Sequence, residues 1–266
     1  MTSRSSKHQI VRSPDGPAQR DRWLAALEAR HLSDLRFAEV TRALRALSSI
    51  YVERRARLSG QTALDSAGKR AAYAMYYSPL HYLTVAAIVD ALGATRPLSR
   101  LLDLGCGAGA AGAAWAMAPA APPSLLAVDT LPWALDEATF TYRSLGLDGE
   151  TRRAHAARMT LPRSVDAIVA GWMVNELDES SRKALLANLL RAVSAGTQLL
   201  VIEPISTRVS PWWPEWTRAF SAAGGRDDEW RIPTVLPDLV KRLDVAAGLR
   251  HDVLTAKSIY VAARPA

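Results

Sequence analysis

The sequence predicts an α/β fold, a mostly parallel sheet covered on both faces, preceded by a helical N-terminal extension. Three observations carry this expectation. Apolar runs recur at 101–104, 125–128, 165–170 and 199–202, the pattern of strands buried on both faces. Segments of helical spacing fall between them, near 109–118, 132–145 and 180–194, so the elements alternate as in βαβ units. The end of the chain differs: a helix near 235–247 precedes two short strands, His251–Thr255 and Ser258–Ala262, joined through Ala256-Lys257. Those strands predict a C-terminal antiparallel hairpin in the sheet.

The N-terminal part is read in the same way. Residues 1–19, rich in Ser, Pro, Asp and Gly, predict a flexible, basic lead-in. From Asp21 to Leu58 apolar residues recur at three-to-four spacing: Trp23, Leu24 and Leu27, then Val40, Leu44, Leu47 and Tyr51. The Ser-Gly-Gln-Thr run at 59–62 ends that pattern. Residues 79–93 predict another helix, with Pro79 in its first turn and Gly93 at its carboxyl end. The division expected is a lead-in at 1–19, a helical extension at 20–95 and a sheet domain at 96–266.

Composition removes several classes of function. With 49% hydrophobic and 22% charged residues, the chain can bury a core and is too apolar to be disordered throughout. Its one cysteine, Cys106, excludes an internal disulfide, an all-cysteine zinc site and an iron–sulfur cluster, and no metal site is expected. No apolar stretch approaches the roughly 18 residues of a membrane span. The first residues lack the apolar core of a signal peptide, so a cytoplasmic protein with no membrane partner is expected. The formal charge of +7 is concentrated in residues 1–70, which hold 14 Lys+Arg against 7 Asp+Glu. That excess reads either as an RNA-contacting arm or as the solvated face of helices in an arginine-rich chain.

The most informative stretch is Leu-Leu-Asp-Leu-Gly-Cys-Gly-Ala-Gly-Ala at 101–110. A buried strand ends at Leu104, glycines turn the chain, and a helix begins near Gly109; bare backbone N–H groups at such a start suit a polar or anionic ligand group. A second strand, 125–129, ends in Asp129, a carboxylate placed to accept both hydroxyls of a ribose. The glycines taken alone also fit a dinucleotide fingerprint, with Ala110 in its last position.

Asp103 together with Gly105, Gly107 and Gly109 resembles the nucleoside loop of class I S-adenosylmethionine-dependent methyltransferases. The resemblance implies a Rossmann-like methyltransferase sheet, S-adenosylmethionine as cofactor, and methyl transfer as the activity. It implies that Asp103, Gly105, Cys106, Gly107 and Gly109 hold the methionine end, and that Asp129 and Thr130 hold the ribose. Met159, after the third strand, and Gly171, ending the fourth, complete the expected cofactor set. The acid that often meets the adenine amine is missing from 154–159, which leaves adenine to apolar contact and backbone groups.

The fourth strand runs into Asn175-Glu176, at the strand end where α/β folds place ligands. The pair reads either as pocket-facing residues or as a turn and helix cap. With Glu203, which ends the fifth strand, and His81, in the helix before the sheet, they are the candidate catalytic residues; His155 and His251 stand behind them. The order of Ala46–Tyr51, Tyr77–Tyr82, the glycine loop, Trp172–Leu177 and Leu200–Pro204 is similar to the methyltransferase-like family associated with mitochondrial small-ribosomal-subunit assembly, and to its bacterial relatives. Past Pro204 the cysteines that this family associates with an iron–sulfur cluster are missing. Trp212, Trp213, Trp216 and Trp230 read either as a substrate lid or as indoles packed on the sheet.

The function implied is methyl transfer to an O or N atom of a small-molecule or RNA acceptor. A non-catalytic RNA-binding or ribosome-assembly factor and an NAD(P)-dependent oxidoreductase are the alternatives.

Overall fold

Side-chain alternation along the strands decides the architecture. In β1 (Arg100–Leu104), Leu101 and Asp103 point to one face of the sheet while Leu102 and Leu104 point to the other, and each face has its own apolar core. The structure is a computed structural model that describes residues 16–53 and 64–263. Residues 1–15, Leu58, the run at 59–62 and the Tyr51 side chain lie outside the described residues.

Before the sheet come α1 (Gly16–His31), α2 (Phe37–Glu53), α3 (Ala67–Ala72), a π-helical turn (Tyr73–Tyr77) and α4 (Ser78–Ala91). The run expected as one helical pattern from Asp21 is two helices. Glu39 reaches back to the Arg36 amide (2.7 Å), half of a capping box, and so starts a new helix after the break at His31. Trp23, Leu27, Val40 and Leu44 are fully buried, as their spacing predicts.

The rest alternates: α5 (Ala110–Ala116), β2 (Ser124–Asp129), α6 (Pro132–Ser144), β3 (Gly149–Arg153), β4 (Ala167–Gly171), α7 (Glu179–Ser194), β5 (Gln198–Glu203), α8 (Trp213–Ala222), β6 (Arg226–Pro233), α9 (Asp238–Ala247) and β7 (Val253–Val261). The seven strands lie in the order β3-β2-β1-β4-β5-β7-β6, parallel except for β7, which runs antiparallel to both its neighbours. The N-terminal helices share one core with α5, α6 and α9, while α7 and α8 cover the other face. The chain leaves β1 toward β2 and β3, then returns to add β4 and β5 on the other side. A switch point of this kind opens a crevice at the carboxyl ends of β1 and β4.

The C-terminal antiparallel pair is present but differently made. Ala256 and Lys257 do not turn; both are buried within a single strand, β7, whose outer partner is β6. β6 alternates exposed and half-buried residues, and an edge strand with a wet face leaves no apolar run in the sequence. β3, the opposite edge, was silent for the same reason. Trp213 and Trp216 are core residues of α8, and Trp212 packs edge-on against Trp216 (4.8 Å), so these indoles pack on the sheet and form no lid.

Candidate active site

At the switch point lies a cavity of about 330 Å³, within the range of roughly 300–1,000 Å³ typical of ligand sites. Its floor is the glycine loop. Gly105 has φ +63°, and a Cβ there would lie 2.6 Å from the Met173 Cβ; Gly107 has φ +51°, and a Cβ there would lie 2.8 Å from the Tyr73 hydroxyl. Only glycine serves at both positions, because the conformation disfavours a side chain and the space for one is taken.

Asp129 stands on the cavity wall at the end of β2. Its Oδ2 accepts the Gly107 amide and its Oδ1 the Leu131 amide, both at 3.0 Å, so the acid fixes the loop and the start of α6 together. Each carboxylate oxygen keeps a further lone pair for a ligand hydroxyl. Thr130, Leu131 and Trp133 continue the wall, Ala154, His155 and Ala156 follow from the end of β3, and Gly171 ends β4.

The roof is aromatic. Trp172 has φ +55°, the single described non-glycine residue with positive φ, and is held there by its amide bond to Ile202 O (2.8 Å). A bulky residue in that region is strained, a condition that clusters at functional sites. His81 does not reach the cavity wall; its ring stacks on Trp172 at 3.8 Å and 8°. Tyr73, carried by the π-helical turn, meets the Trp133 ring edge-on at 6.0 Å above the loop. π-helical turns are often placed at functional sites.

Glu176 lines the same cavity. Desolvation first, then the Asp129 carboxylate, pushes its carboxyl up to about 7. The side chain is exposed at the mouth of the cavity.

Several expected site residues lie elsewhere. Asp103 is fully buried on the α5 and α6 side, where its Oδ2 accepts the Gly112 amide (2.9 Å) and the Tyr142 hydroxyl (3.4 Å). Burial raises its carboxyl to about 7. It braces the first turn of α5 and does not touch the cavity, because side-chain alternation in β1 turns it under the helix. Cys106 and Gly109 are also buried beneath the loop; the Cys106 amide bonds Val128 O (3.0 Å), and burial pushes the thiol up. Met159 lines a different cavity, at the amino-terminal end of the strands, because the chain turns downward after Ala156.

Glu203 and Asn175 are not in the cavity either. Glu203 is fully buried; its Oε1 accepts the amides of Val174 (3.0 Å) and Asn175 (3.2 Å), and its Oε2 accepts the Asn175 side-chain amide. Burial nevertheless raises its carboxyl to about 8. The Trp212 indole donates to Asn175 Oδ1 (3.0 Å), so the network ends in the α8 core. This clamp sets the turn that aims Glu176. His155 lines the cavity, with Nδ1 accepting the Ala157 amide (3.3 Å), while His251 pairs with Asp244 (2.7 Å) beneath the π-helical turn and away from it. Tyr73, Trp133 and Leu131 escaped the sequence reading. Trp133, four residues after Asp129, had a positional signal; Tyr73 had none.

The basic residues of the N-terminal helices are largely engaged. Arg20 pairs with Asp21, Arg30 with Glu137 and Lys69 with Asp65, while Arg45 and Arg70 donate to the Ala246 and Leu64 carbonyls. Among the described residues, no helix is long and apolar enough to cross a membrane.

Residues 101–196 match the family described as a methyltransferase domain. Among solved structures, the chain is similar to an O-methyltransferase candidate from Nostoc punctiforme, at 15% identity over 91% of this chain and 72% of that one, with a TM-score of 0.54. It is also similar to the N-methyltransferase NodS of Bradyrhizobium japonicum, solved with S-adenosyl-l-homocysteine (13% identity, 81% and 97% covered, TM-score 0.48). A third is a SAM-dependent methyltransferase from Aquifex aeolicus (19% identity, 69% and 91% covered, TM-score 0.47). No curated protein matches by sequence. The Nostoc likeness shows the fold. The residues that match the methyltransferase domain include the glycine loop and Asp129, for which the sequence resemblance implies S-adenosylmethionine as cofactor. The donor set fits that cofactor: an acid ending β2, exposed glycine backbone, and apolar walls. The sheet departs from the all-parallel 3-2-1-4-5-6 order of dinucleotide-binding folds by inserting antiparallel β7 between β5 and β6.

Proposed function

We propose that the protein transfers a methyl group from S-adenosylmethionine to a hydroxyl or amine of a small-molecule or RNA acceptor, with Glu176 as general base. The observation that carries this reading is geometric: a carboxylate, Glu176, stands on the wall of the same cavity that Asp129 and the glycine loop line. When bound, S-adenosylmethionine supplies an electrophilic methyl carbon. In this reading Asp129 holds the ribose hydroxyls, the loop amides and Gly171 orient the methionine end, and Leu131, Trp133 and Ala154 enclose the adenine. The ionised Glu176 takes the proton that the acceptor oxygen or nitrogen releases as it is methylated. Tyr73 and the Trp172–His81 stack exclude water and orient the acceptor.

Among the described residues, the ionisable groups on the cavity wall are Asp129, Glu176, His155 and the Tyr73 hydroxyl. The resemblance to the ribosomal branch, two of whose segments (Trp172–Leu177 and Leu200–Pro204) carry the Glu203–Asn175 clamp, gives RNA as the alternative acceptor to a small molecule.

Calorimetric titration with S-adenosylmethionine, S-adenosylhomocysteine and NADH tests the first step, followed by labelled-methyl transfer to amine, hydroxyl and RNA acceptors. Micromolar binding of the first two ligands and transfer to an amine or hydroxyl are expected. Binding without transfer to any acceptor would favour a non-catalytic factor, and NADH binding alone would overturn the reading.

A further inference from the structure

A second cavity, about 870 Å³, opens at the opposite end of the sheet, roughly 16 Å away along the five residues of β4. It is formed where the chain enters β1, β4 and β5 and where α7 and β7 end. Four arginines from three separate segments converge on it: Arg96 before β1, Arg158 and Arg163 before β4, and Arg191 near the end of α7. Among the described residues, the single acid on its wall, Asp166, already has one oxygen committed: its Oδ2 accepts the amides of Ser99 (2.5 Å) and Arg100 (3.0 Å) and so ties β1 to β4.

The arginines are not committed in the same way. Arg191 donates to Asn188 Oδ1. Among the described residues, the side chains of Arg96, Arg158 and Arg163 make no hydrogen bond and no ion pair, although Arg158 acts on the Asp178 carboxylate and Arg96 on the Tyr260 hydroxyl at longer range. The carboxyl end of α7 favours a cation nearby and accounts for Arg191, but that effect falls off within a turn and does not reach the other three. Four guanidinium groups around one concavity repel one another, and an anion relieves the repulsion. Their planar forks match phosphate oxygens two at a time. Gln198 Oε1 accepts the Tyr260 hydroxyl (3.1 Å), which leaves the Gln198 amide hydrogens for a further acceptor. The volume suits a ligand larger than a single phosphate ion.

We propose that this cavity is a second binding site, for a phosphate-bearing small molecule of the nucleotide or polyphosphate class. It is separate from the methyl-transfer cavity and does not depend on that reading.

The test is calorimetry on the full chain at low salt with inorganic triphosphate, ATP and a short single-stranded RNA, comparing the natural sequence with an Arg158→Gln/Arg163→Gln variant. Saturable binding of triphosphate or ATP is expected, weakened at least tenfold in the variant and weakened also by salt, with S-adenosylmethionine affinity unchanged. Because both arginines are exposed, the variant should fold; circular dichroism checks this, and Arg96→Gln repeats the measurement independently. The proposal is overturned by phosphate probes that do not bind, by variants that bind them as well as the natural sequence, by competition between ATP and S-adenosylhomocysteine, or by binding of RNA alone.

Discussion

Glu176 and Glu203 each follow a central parallel strand at its carboxyl end, and the sequence marks them as equals. The structure gives them opposite tasks. Glu203 is sealed under α8 with both oxygens bonded, two amides on one and a side-chain amide on the other. Glu176, one turn further along the loop that Glu203 clamps, is on the wall of an open cavity facing Asp129. Both carboxyls are pushed upward by desolvation, to about 8 and about 7, so a raised pKa by itself does not tell them apart. What separates them is free hydrogen-bonding capacity and access: an acid with both oxygens engaged and no route to solvent positions other groups, and an acid beside a cavity can exchange a proton. Asp103 and Asp129 repeat the contrast in access alone: Asp103 is sealed under α5 with its Oδ1 lacking a hydrogen-bond partner, while Asp129, both of whose oxygens accept amides, stands on the cavity wall.

Four substitutions test this division. The largest effect belongs to Glu176→Gln, which should lower the turnover of methyl transfer by about 10²–10⁴-fold, the usual contribution of a positioned base, with S-adenosylmethionine affinity held within a few-fold. In the natural protein kcat/KM should rise with pH to a plateau above about 7, since the ionised carboxylate is the active form, and the variant should lose that rise. A pH profile unchanged by the substitution would move the base elsewhere. Next is Glu203→Ala, which leaves the Val174 and Asn175 amides buried without an acceptor; a loss of about 3 kcal/mol in urea unfolding is expected. If that variant unfolds like the natural protein but cannot transfer methyl groups, Glu203 is no mere clamp. Asp129→Ala should weaken cofactor binding by about 2 kcal/mol, roughly thirtyfold, read by calorimetry. The smallest change is Trp212→Phe, which removes one indole bond to Asn175 and should cost about 1 kcal/mol in the same unfolding measurement.

Much of the cavity lining was legible because its signals are local. Gly105, Gly107, Asp129, Thr130 and Gly171 sit at strand ends or in the turn beside them, and all line the cavity. Asp103, Cys106 and Gly109 belong to the same run but pass beneath it, since successive residues of a strand and its turn face opposite ways. Met159 failed for a different reason: the position was inferred from counting past the third strand, and the descent after Ala156 carries it to the cavity at the other end. Tyr73 lies far from the loop in sequence and reaches it only through the packing of the π-helical turn, which no local pattern announces.

The sequence alone determined the mostly parallel sheet, its helical layers and the glycine turn, because apolar runs, helical spacing and glycine content are properties of neighbouring residues. Tertiary structure decided which acids line the cavity, that β6 pairs with an unbroken β7, and that four arginines from distant segments share one cavity. Each of those outcomes depends on which residues far apart in the chain exclude water from one another, and that is set only when the layers close.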